Sequence, residues 1–514
     1  MQQYIPFELV YRAPAPGGSQ ASIDLTAVFS HGGYEKTVRG FYAGDGVYKV
    51  RFLPEETGVY TYRVSGVVSD EGQVVCGPSE GHGLVKAEGC HFAFEDGTRY
   101  APFGTTVYAL CHQPDELMER TLETLKNAPF NKIRMCVFPK HYNFNQNDPE
   151  FYPFERDADG GWDVDRPSFA FWDRFEKICA RIARMGIQID LILFHPYDRW
   201  GFSRLGQKNN LVYLDYLLRR LSAWPCFWWS MANEYDLFFD WTADDWYGIE
   251  RFIHQNDPYG HLLSNHNCFK PYDFSHPDVT HVCLQGINMH QGTALMERFG
   301  KPVVFDECCY EGDIDMEWGN ISAHEMTNRF WKACAQGAYA THGETFYHED
   351  EILWWAKGGR LYGESPARIA FLREIVESLP GPLEPWLEKS GWVPVDDEGR
   401  LDPSLTPEER RRAEKTMMGL ERVRATMTET QRADFAWKDA KYAGRCEDLA
   451  FIKYFAQQCL SYTTLRLPED GTYAVELIDA WNMTREVVAE GVSGNVTLKM
   501  PGREGMALLA RRTA

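Results

Sequence analysis

Short apolar segments alternate with amphipathic segments of helical length from about residue 97 to about residue 380, and this alternation constrains the fold more than any other feature. The apolar segments predict strands at residues 100–110, 132–138, 188–194, 227–232, 262–265, 281–285, 302–306 and 338–346. Helices are predicted near residues 114–127, 168–185, 208–223, 243–256, 291–299, 322–336 and 365–378, and the fifth connection is short and irregular. Eight β/α units in a row predict a closed (β/α)8 TIM barrel of the α/β class.

Regions of alternating apolar and polar residues flank the predicted barrel. Residues 5–87 contain such strands, separated by turn-forming stretches such as 43–46 (AGDG), which predicts an immunoglobulin-like β-sandwich. Residues 448–512 show the same alternation and predict a small C-terminal β-sandwich. The stretch between barrel and C-terminal region is charged and punctuated by proline, which predicts an exposed helix or a linker. The predicted domains are therefore 1–88, 89–385, 386–445 and 446–514.

Charge and cysteine content argue against several classes of function. The 514 residues include 53 Lys and Arg against 74 Asp and Glu, so a formal charge of -21 would repel nucleic acid and anionic membrane surfaces. The 13 cysteines lack the paired spacing of a zinc site, and the N-terminal residues lack the basic start and apolar stretch of a secretory signal. We therefore expect a cytoplasmic protein that needs no metal or cofactor and has no nucleic-acid or membrane partner. A neutral substrate fits this charge, and a homo-oligomer is left open.

Two glutamates follow apolar strands at the positions where barrels of this kind carry their active sites. Glu234 follows predicted strand four (FWWSMAN), and Glu307 follows predicted strand seven (PVVFD). Because the carboxyl ends of the barrel strands meet at one mouth, both carboxylates should face one cavity. Hydrolysis of a glycosidic bond needs one carboxyl that protonates the departing oxygen and a second that traps the positive carbon centre. The distance between the two carboxyl groups, which distinguishes retention from inversion, is not given by the sequence.

This arrangement resembles a large clan of (β/α)8 retaining glycoside hydrolases, in which Asn-Glu ends strand four and Glu ends strand seven. The resemblance covers the predicted barrel and implies that Glu234 is the acid/base, that Asn233 binds the substrate 2-hydroxyl and that Glu307 is the nucleophile. Arg134 in strand two matches the arginine that keeps the nucleophile ionised and oriented. His195 matches the strand-three histidine that borders the sugar subsite, with a structural histidine as the alternative.

Further polar and aromatic side chains at or beyond the later strands could orient sugar hydroxyls. These predicted substrate-binding residues are His266, Gln285, His290, Tyr310, Trp354 and Trp355. Many clan members have a tyrosine after strand six that bonds the nucleophile, whereas this sequence has Gln285 and no tyrosine there, which leaves the partner of Glu307 open. Trp354 or Trp355 matches the tryptophan that floors the sugar subsite, with a place in the core as the alternative.

Residues 5–87 are also similar to a β-sandwich of unassigned function that often precedes such barrels in bacterial polysaccharide-degrading enzymes, and the whole chain resembles a poorly characterised branch of the clan. Aromatic residues in the long loops after strands two and three predict a pocket for terminal sugars: Tyr142, Phe144, Phe151, Tyr152, Trp162 and Trp200. We predict a retaining, exo-acting glycosidase for plant-derived oligosaccharides or glycosides. The alternatives are a non-catalytic carbohydrate-binding protein on a degenerate barrel, and a metal-dependent hydrolase that uses the surplus histidines and acidic residues such as Asp306, Glu311 and Glu344.

Overall fold

In the computed structural model, eight parallel strands form the central sheet. The structure describes residues 1–347, 353–386, 401, 405–432 and 442–514. The barrel strands, numbered one to eight in chain order, are Phe103–Thr106, Lys132–Cys136, Gln188–Phe194, Phe227–Ala232, Leu263–Ser264, Val282–Gln285, Val303–Glu307 and Tyr339–His342. Strand one pairs in parallel with both strand two and strand eight, so the sheet curls back on itself. The predicted (β/α)8 barrel is therefore confirmed.

Strands five and six are the two ends of the sheet order, and individual hydrogen bonds join them. The Thr280 N–H donates to the Leu263 carbonyl oxygen at 2.8 Å. The Ser264 hydroxyl donates to the His281 carbonyl oxygen at 2.7 Å. These bonds make the barrel nearly closed.

The helices follow the predicted alternation closely. The α-helices are Asp115–Asn127, Phe169–Ala183, Gln207–Leu221, Ala243–Asn256, Gly292–Phe299, Ala323–Cys334, Trp354–Lys357, Ser365–Glu377 and Pro407–Thr426, and the 3-10 helices are Leu110–His112, Phe202–Arg204, Tyr235–Leu237, Met289–Gln291 and Glu317–Gly319. In Phe169–Ala183 the buried positions recur every three or four residues, as in Phe171, Phe175 and Ile178, which is the spacing of one helix face. The fifth connection, 265–281, contains no helix. No helix among the described residues is long and apolar enough to cross a bilayer.

Two compact units make up the chain. The first comprises Met1–Gly286, Phe299–Met326 and Ala340–Pro366, and the second comprises Ile287–Arg298, Thr327–Tyr339 and Ala367–Ala514. The first unit therefore contains both the N-terminal strands and most of the barrel sheet.

Two antiparallel sheets form the N-terminal region of the first unit. One contains Phe7–Arg12, Phe41–Tyr42 and Val47–Phe52, and the other contains Leu25–His31, Tyr34–Arg39, Gly58–Gly66 and Asp70–Cys76. Alternate residues of both sheets point inward and share one apolar core, in which Phe29 and Phe52 stack at 4.0 Å. A third sheet contains Val85–Glu88, His91–Phe94 and Arg99–Tyr100.

A buried cluster of charged side chains ties the sandwich to two barrel helices. Arg51 of the sandwich donates to Glu8 at 2.8 Å and to Glu176 in helix Phe169–Ala183 at 2.5 and 3.0 Å. Its guanidinium also donates to the carbonyl oxygen of Arg220, and the Arg220 side chain donates to Glu176 at 2.7 Å. Burial alone would raise the pKa of the Glu176 carboxyl, but the two arginines outweigh burial and lower it to about 2.

The second unit contains the C-terminal β-region. Its larger sheet has the strand order Glu384–Pro385, Tyr442–Cys446, Ala450–Tyr454, Met506–Arg512, Tyr473–Asp479 and Thr484–Val492, and a two-stranded sheet pairs Tyr462–Arg466 with Asn495–Lys499. An apolar core that includes Phe451, Tyr473 and Leu508 lies between them. Within the predicted linker 386–445, the described part contains helix Pro407–Thr426, which Thr406 caps. Residues 387–400, 402–404 and 433–441 of that linker lie outside the described residues.

Candidate active site

Glu234 lies directly after strand four with its backbone in the left-handed region. Its φ is 55°, a conformation that costs free energy for any residue with a Cβ and that persists where the surroundings fix it. The following N–H, that of Tyr235, donates to the His266 carbonyl oxygen at 2.9 Å and so anchors the turn. The hydroxyl of Tyr197 and the Asn233 amide, the latter at 3.3 Å, both donate to Glu234 Oε2. The turn thus aims a buried carboxyl at a fixed place.

Glu307 is the last residue of strand seven, and its carboxylate is buried among donors. The hydroxyl of Tyr108 donates to Glu307 Oε1, and Arg134 Nη1 lies 3.4 Å from the same oxygen. His266 Nε2 lies 3.9 Å from that oxygen. The Tyr108 hydroxyl is also 2.9 Å from Asn233 Oδ1, which links the ends of strands one, four and seven.

Gln285 at the end of strand six bridges the two glutamates. Because carboxylate oxygens accept hydrogen bonds, the side-chain amide presents its nitrogen to them, at 3.1 Å from Glu234 Oε1 and 3.3 Å from Glu307 Oε2. The same nitrogen donates to the Asn267 carbonyl oxygen at 3.3 Å. The two predicted catalytic carboxyls therefore face one another across a single amide nitrogen.

The surroundings move the pKa values of the two carboxyls in opposite directions. Burial, together with the negative charge of Glu307, raises the pKa of the Glu234 carboxyl above its usual range. Burial would also raise the pKa of Glu307, but His266, Arg134, Lys140 and the Tyr108 hydroxyl outweigh burial and lower it. At neutral pH this arrangement favours a proton on Glu234 and a negative charge on Glu307, which is the division of roles that acid and nucleophile need.

A buried ion network beneath the site holds Arg134 in place. Lys132 Nζ lies 3.0 Å from Asp190 Oδ2 and also donates to Asp306 Oδ1. Arg134 Nε lies 3.4 Å from Asp190 and 4.0 Å from Asp306. The Thr341 hydroxyl donates to Asp306 at 2.7 Å. Asp190 and Asp306 both contact Lys132. The Arg134 side chain extends past them to Glu307, which follows Asp306 in strand seven.

Aromatic rings form one wall of the site. The Trp355 ring packs on Tyr108 at 5.7 Å, on Tyr142 at 5.1 Å and on Trp318 at 4.9 Å between ring centroids. Tyr310 contacts the same indole at 5.5 Å, and burial and the charge of Glu307 raise the pKa of its phenol. Of the two tryptophans predicted to floor the sugar subsite, Trp355 therefore packs on Tyr108, which is the hydrogen-bond partner of Glu307.

The remaining predicted residues have other positions. Trp354 turns its indole N–H toward Thr105 of strand one, to which it donates at 2.8 Å. His195 Nε2 donates to the Phe138 carbonyl oxygen at 3.1 Å, and burial lowers its pKa to about 4. His266 is fully buried, and burial lowers its pKa to about 3, so its imidazole is neutral near pH 7. His290 belongs to the second compact unit, where it lies in the 3-10 helix Met289–Gln291.

Three residues of the site are absent from the sequence-based prediction: Tyr108, Lys140 and Tyr197. Tyr108 lies two residues after strand one, Tyr197 three residues after strand three, and Lys140 four residues after strand two. The strand-end rule that identifies Glu234 would also identify Tyr108 if strand one were given its true end at Thr106. Tyr197 lies three residues beyond strand three, whose end was predicted correctly, so no such signal points to it.

The acidic residues considered for a metal have other partners. Glu311, His342 and Glu344 are buried with their ligand atoms within 4.8 Å of one another, a spacing that could hold an ion. However, the Glu344 carboxylate accepts the N–H groups of Tyr362 and Gly363, and Glu311 accepts those of residues 364 and 365, so both carboxylates already secure the loop before helix Ser365–Glu377. Asp306 belongs to the Lys132 network instead.

Comparison with known proteins gives a consistent result for all three parts of the chain. Residues 86–389 match the apiosidase-like catalytic domain, residues 1–66 match a domain of unknown function (DUF5060), and residues 437–511 match another (DUF5605). No curated protein sequence matches the chain.

Solved structures agree with this assignment. A protein of Bacteroides vulgatus ATCC 8482, described as a candidate glycoside hydrolase, is 31% identical with a TM-score of 0.82, and the alignment covers 100% of this chain and 99% of that one. A family 5 glycoside hydrolase from the same organism shares the fold at 13% identity and a TM-score of 0.56, over 84% of this chain and 94% of that one. The chain therefore belongs to the apiosidase-like family of (β/α)8 glycoside hydrolases.

Proposed function

We propose that this glycoside hydrolase cleaves terminal sugars from plant-derived oligosaccharides or glycosides with retention of anomeric configuration. The observation that carries the proposal is the pair Glu234 and Glu307, which share the Gln285 amide and have oppositely shifted pKa values. Two carboxyl groups with separated pKa values are what acid catalysis and nucleophilic attack require together.

The carboxyl spacing supports retention. A single nitrogen lies 3.1 Å from Glu234 Oε1 and 3.3 Å from Glu307 Oε2. Those two oxygens are therefore at most about 6.4 Å apart, which allows the about 5–5.5 Å between carboxyls at which the second carboxylate acts as nucleophile. Direct attack by Glu307 on the anomeric carbon fits this spacing.

In the proposed reaction, a Glu307 carboxylate oxygen attacks the anomeric carbon as the bond to the leaving oxygen breaks. That oxygen keeps the bonding electron pair and takes the proton of Glu234. In the second step the Glu234 carboxylate accepts a proton from water, the resulting hydroxyl bonds to the anomeric carbon, and the ester bond to Glu307 breaks. No cofactor enters this scheme, and Asn233 is assigned to the substrate 2-hydroxyl.

Exo-action is proposed from the aromatic residues of the loop after strand two. Tyr142 packs on Trp355 at 5.1 Å and Phe144 packs on it at 5.8 Å, so this loop would close one side of the cavity against a continuing polymer chain. The description of the matched family makes apiosides one candidate substrate class. End-labelled oligosaccharides should lose single terminal residues, and release of mid-chain fragments would overturn exo-action.

A reducing cytoplasm is the proposed location. Most of the 13 cysteines are buried, and they include the free thiols of Cys111, Cys136, Cys179 and Cys226. Proteins of oxidising compartments commonly use cysteines in disulfides, so buried free thiols favour the cytoplasm. The substrate would then be an imported oligosaccharide or glycoside.

The first test is chromophore release from a panel of aryl glycosides, aryl apioside included. Wild type should act on at least one member, and Glu307→Gln should lose nearly all of that activity. Glu234→Gln should lose most activity on sugars with poor leaving groups and less on activated aryl glycosides, because a good leaving group needs little protonation. The anomer first released, followed by NMR, should have the configuration of the substrate.

Glu250→Gln is the matched control. Glu250 is also buried, but its carboxylate accepts a hydrogen bond from Tyr272 at 2.7 Å and contacts His276 rather than the site. This variant should keep the activity of wild type. Equal activity of wild type and both site variants would refute the assigned pair, and silence on the whole panel would favour a carbohydrate-binding protein. Loss of activity on chelation would favour the metal-dependent alternative.

A further inference from the structure

Lys140 follows strand two and buries its ammonium group among aromatic rings. The side chain is 3% exposed, and Nζ lies 3.5 Å from the ring centroid of Tyr108, 4.4 Å from that of Tyr197 and 5.1 Å from that of Tyr142. Within the described residues, this ammonium has no hydrogen-bond acceptor and no carboxylate at ion-pair distance. An ammonium on an almost wholly buried side chain, without such a partner, is costly, so a role for its charge is to be expected.

The two nearest rings belong to the phenols that hold the two glutamates. Tyr108 donates its hydroxyl to Glu307, and Tyr197 donates its hydroxyl to Glu234. A cation over an aromatic face is attracted by the ring electrons and polarises the ring, which makes the phenol a stronger donor. Lys140 therefore acts on both carboxyl groups through the tyrosines as well as through its own field.

Two other buried cations of the barrel already contact carboxylates. Lys132 contacts Asp190 and Asp306, and Arg134 contacts Asp190 and Glu307. Lys140 differs from both because, among the described residues, its ammonium lies near rings and has no carboxylate within 4.0 Å. Its charge is thus available to whichever glutamate is ionised.

We propose that Lys140 is a positioning residue that stabilises one negative charge shared by Glu234 and Glu307 as that charge passes between them. The role rests on the proposed double displacement, in which Glu307 loses its charge on forming the ester bond while Glu234 gains one on giving up its proton. Because the Lys140 ammonium lies over the rings of both Tyr108 and Tyr197, it stabilises the negative charge on Glu307 before this transfer and on Glu234 after it. An ammonium bonded to only one carboxylate would oppose the transfer.

Several titratable groups face Lys140, and they differ in whether they carry charge near neutral pH. They are Cys136, Arg134, His195, His266, Glu234, Glu307, Tyr108, Tyr142 and Tyr197. Burial raises the pKa of the Cys136 thiol to about 12 and keeps the two imidazoles neutral. The phenols are also neutral, and Arg134 stays charged throughout. Loss of Lys140 would therefore be felt at the two glutamates.

The test is the titration of both carboxyl groups in wild type and in Lys140→Met, which keeps the side-chain length and removes the charge. Protein labelled with ¹³C at the glutamate carboxyls is titrated by NMR, and the two signals are assigned with Glu234→Gln and Glu307→Gln. Lys140 lowers the pKa of both groups, so both should rise by roughly one pH unit in Lys140→Met. Both limbs of the pH profile of kcat/KM should move upward by the same amount.

Lys140→Arg keeps the charge and should leave both titrations near those of wild type. Lys301→Met is the matched control, because the Lys301 ammonium donates to the carbonyl oxygens of Phe274 and His276. If Lys140→Met does not fold, Lys140→Gln takes its place. Unchanged titrations, or a rise at only one glutamate, would overturn the inference. The NMR titration needs no substrate, so its result is separate from silence on the glycoside panel, which would refute the proposed function.

Discussion

Removal of the Tyr108 hydroxyl should change how the enzyme responds to acid. Tyr108→Phe deletes the donor to Glu307 Oε1 while keeping the ring that packs on Trp355 and beneath Lys140. The hydrogen bond favours the ionised form of Glu307, so its loss raises the pKa of that carboxyl. Glu307, which must be ionised to act as nucleophile, then becomes active only at higher pH.

The size of the effect follows from the charge on the acceptor. A hydrogen bond to an ionised group is worth about 1.5–3 kcal/mol, and one pKa unit corresponds to about 1.4 kcal/mol. The acidic limb of the kcat/KM profile should therefore move upward by about one to two pH units. Just above the acidic pKa of wild type, the variant should lose roughly 10- to 100-fold in kcat/KM, and it should recover as the pH rises.

Initial rates on an active aryl glycoside across the pH range measure this shift. Tyr213→Phe is the control, because it also removes a buried phenol hydroxyl, but one that donates to the Leu193 carbonyl oxygen at 3.2 Å. The kcat/KM profile of Tyr213→Phe should have its acidic and basic limbs at the same pH values as wild type. An acidic limb that stays in place in Tyr108→Phe, with only a uniform loss of rate, would refute the assignment of Tyr108 as the partner of the nucleophile.

Two further changes test the acid side of the site and the stability of the first unit. Tyr197→Phe removes a hydrogen-bond donor that lowers the pKa of Glu234. The basic limb of the kcat/KM profile should therefore move to higher pH while the acidic limb stays in place. Movement of the acidic limb alone would contradict this. Glu176→Gln should lower the free energy of unfolding at pH 7 by about 3 kcal/mol, because the pKa of Glu176 falls from 4.5 to about 2 on folding. This stabilisation is present above pH 4.5 and is lost as pH falls toward 2, so urea unfolding of wild type and variant should converge in acid.

The barrel could be predicted because its pattern repeats. Strand three, Gln188–Phe194, is buried at every position, as expected when both faces of a parallel strand are covered, and its predicted bounds agree with the structure. Strands one and eight are shorter than predicted: residues 100–110 and 338–346 read as single runs, whereas the strands are Phe103–Thr106 and Tyr339–His342. After Thr106 the backbone leaves the sheet to place Tyr108 over the site, and tertiary contacts rather than local pattern decide that departure.

The site could be predicted as far as the strand-end rule reaches. The rule selects Glu234 and Glu307 because they follow strands, and the Gln285 side-chain nitrogen lies at hydrogen-bond distance from both carboxyl groups. The absence of a tyrosine after strand six leaves the partner of Glu307 undetermined in the sequence, and in the structure the hydroxyl of Tyr108, which follows strand one, donates to Glu307. A residue 199 positions away in the chain cannot be matched to Glu307 by spacing. Tyr108 and Glu307 become neighbours only when the barrel closes.

The buried cluster of charged side chains around Arg51 and Glu176, which ties the sandwich to two barrel helices, limits how this protein can be divided or recombined. A module that moves freely between proteins must leave no buried charge behind when it is removed. Excision of the sandwich would take Arg51 from Glu176 and leave that carboxylate with Arg220 alone at a newly exposed helix surface. It would likewise leave Asp215 without Arg39. The barrel and sandwich should therefore be inherited, expressed and engineered as one piece, and a grafted sandwich would need to bring a matching pair of helices with it.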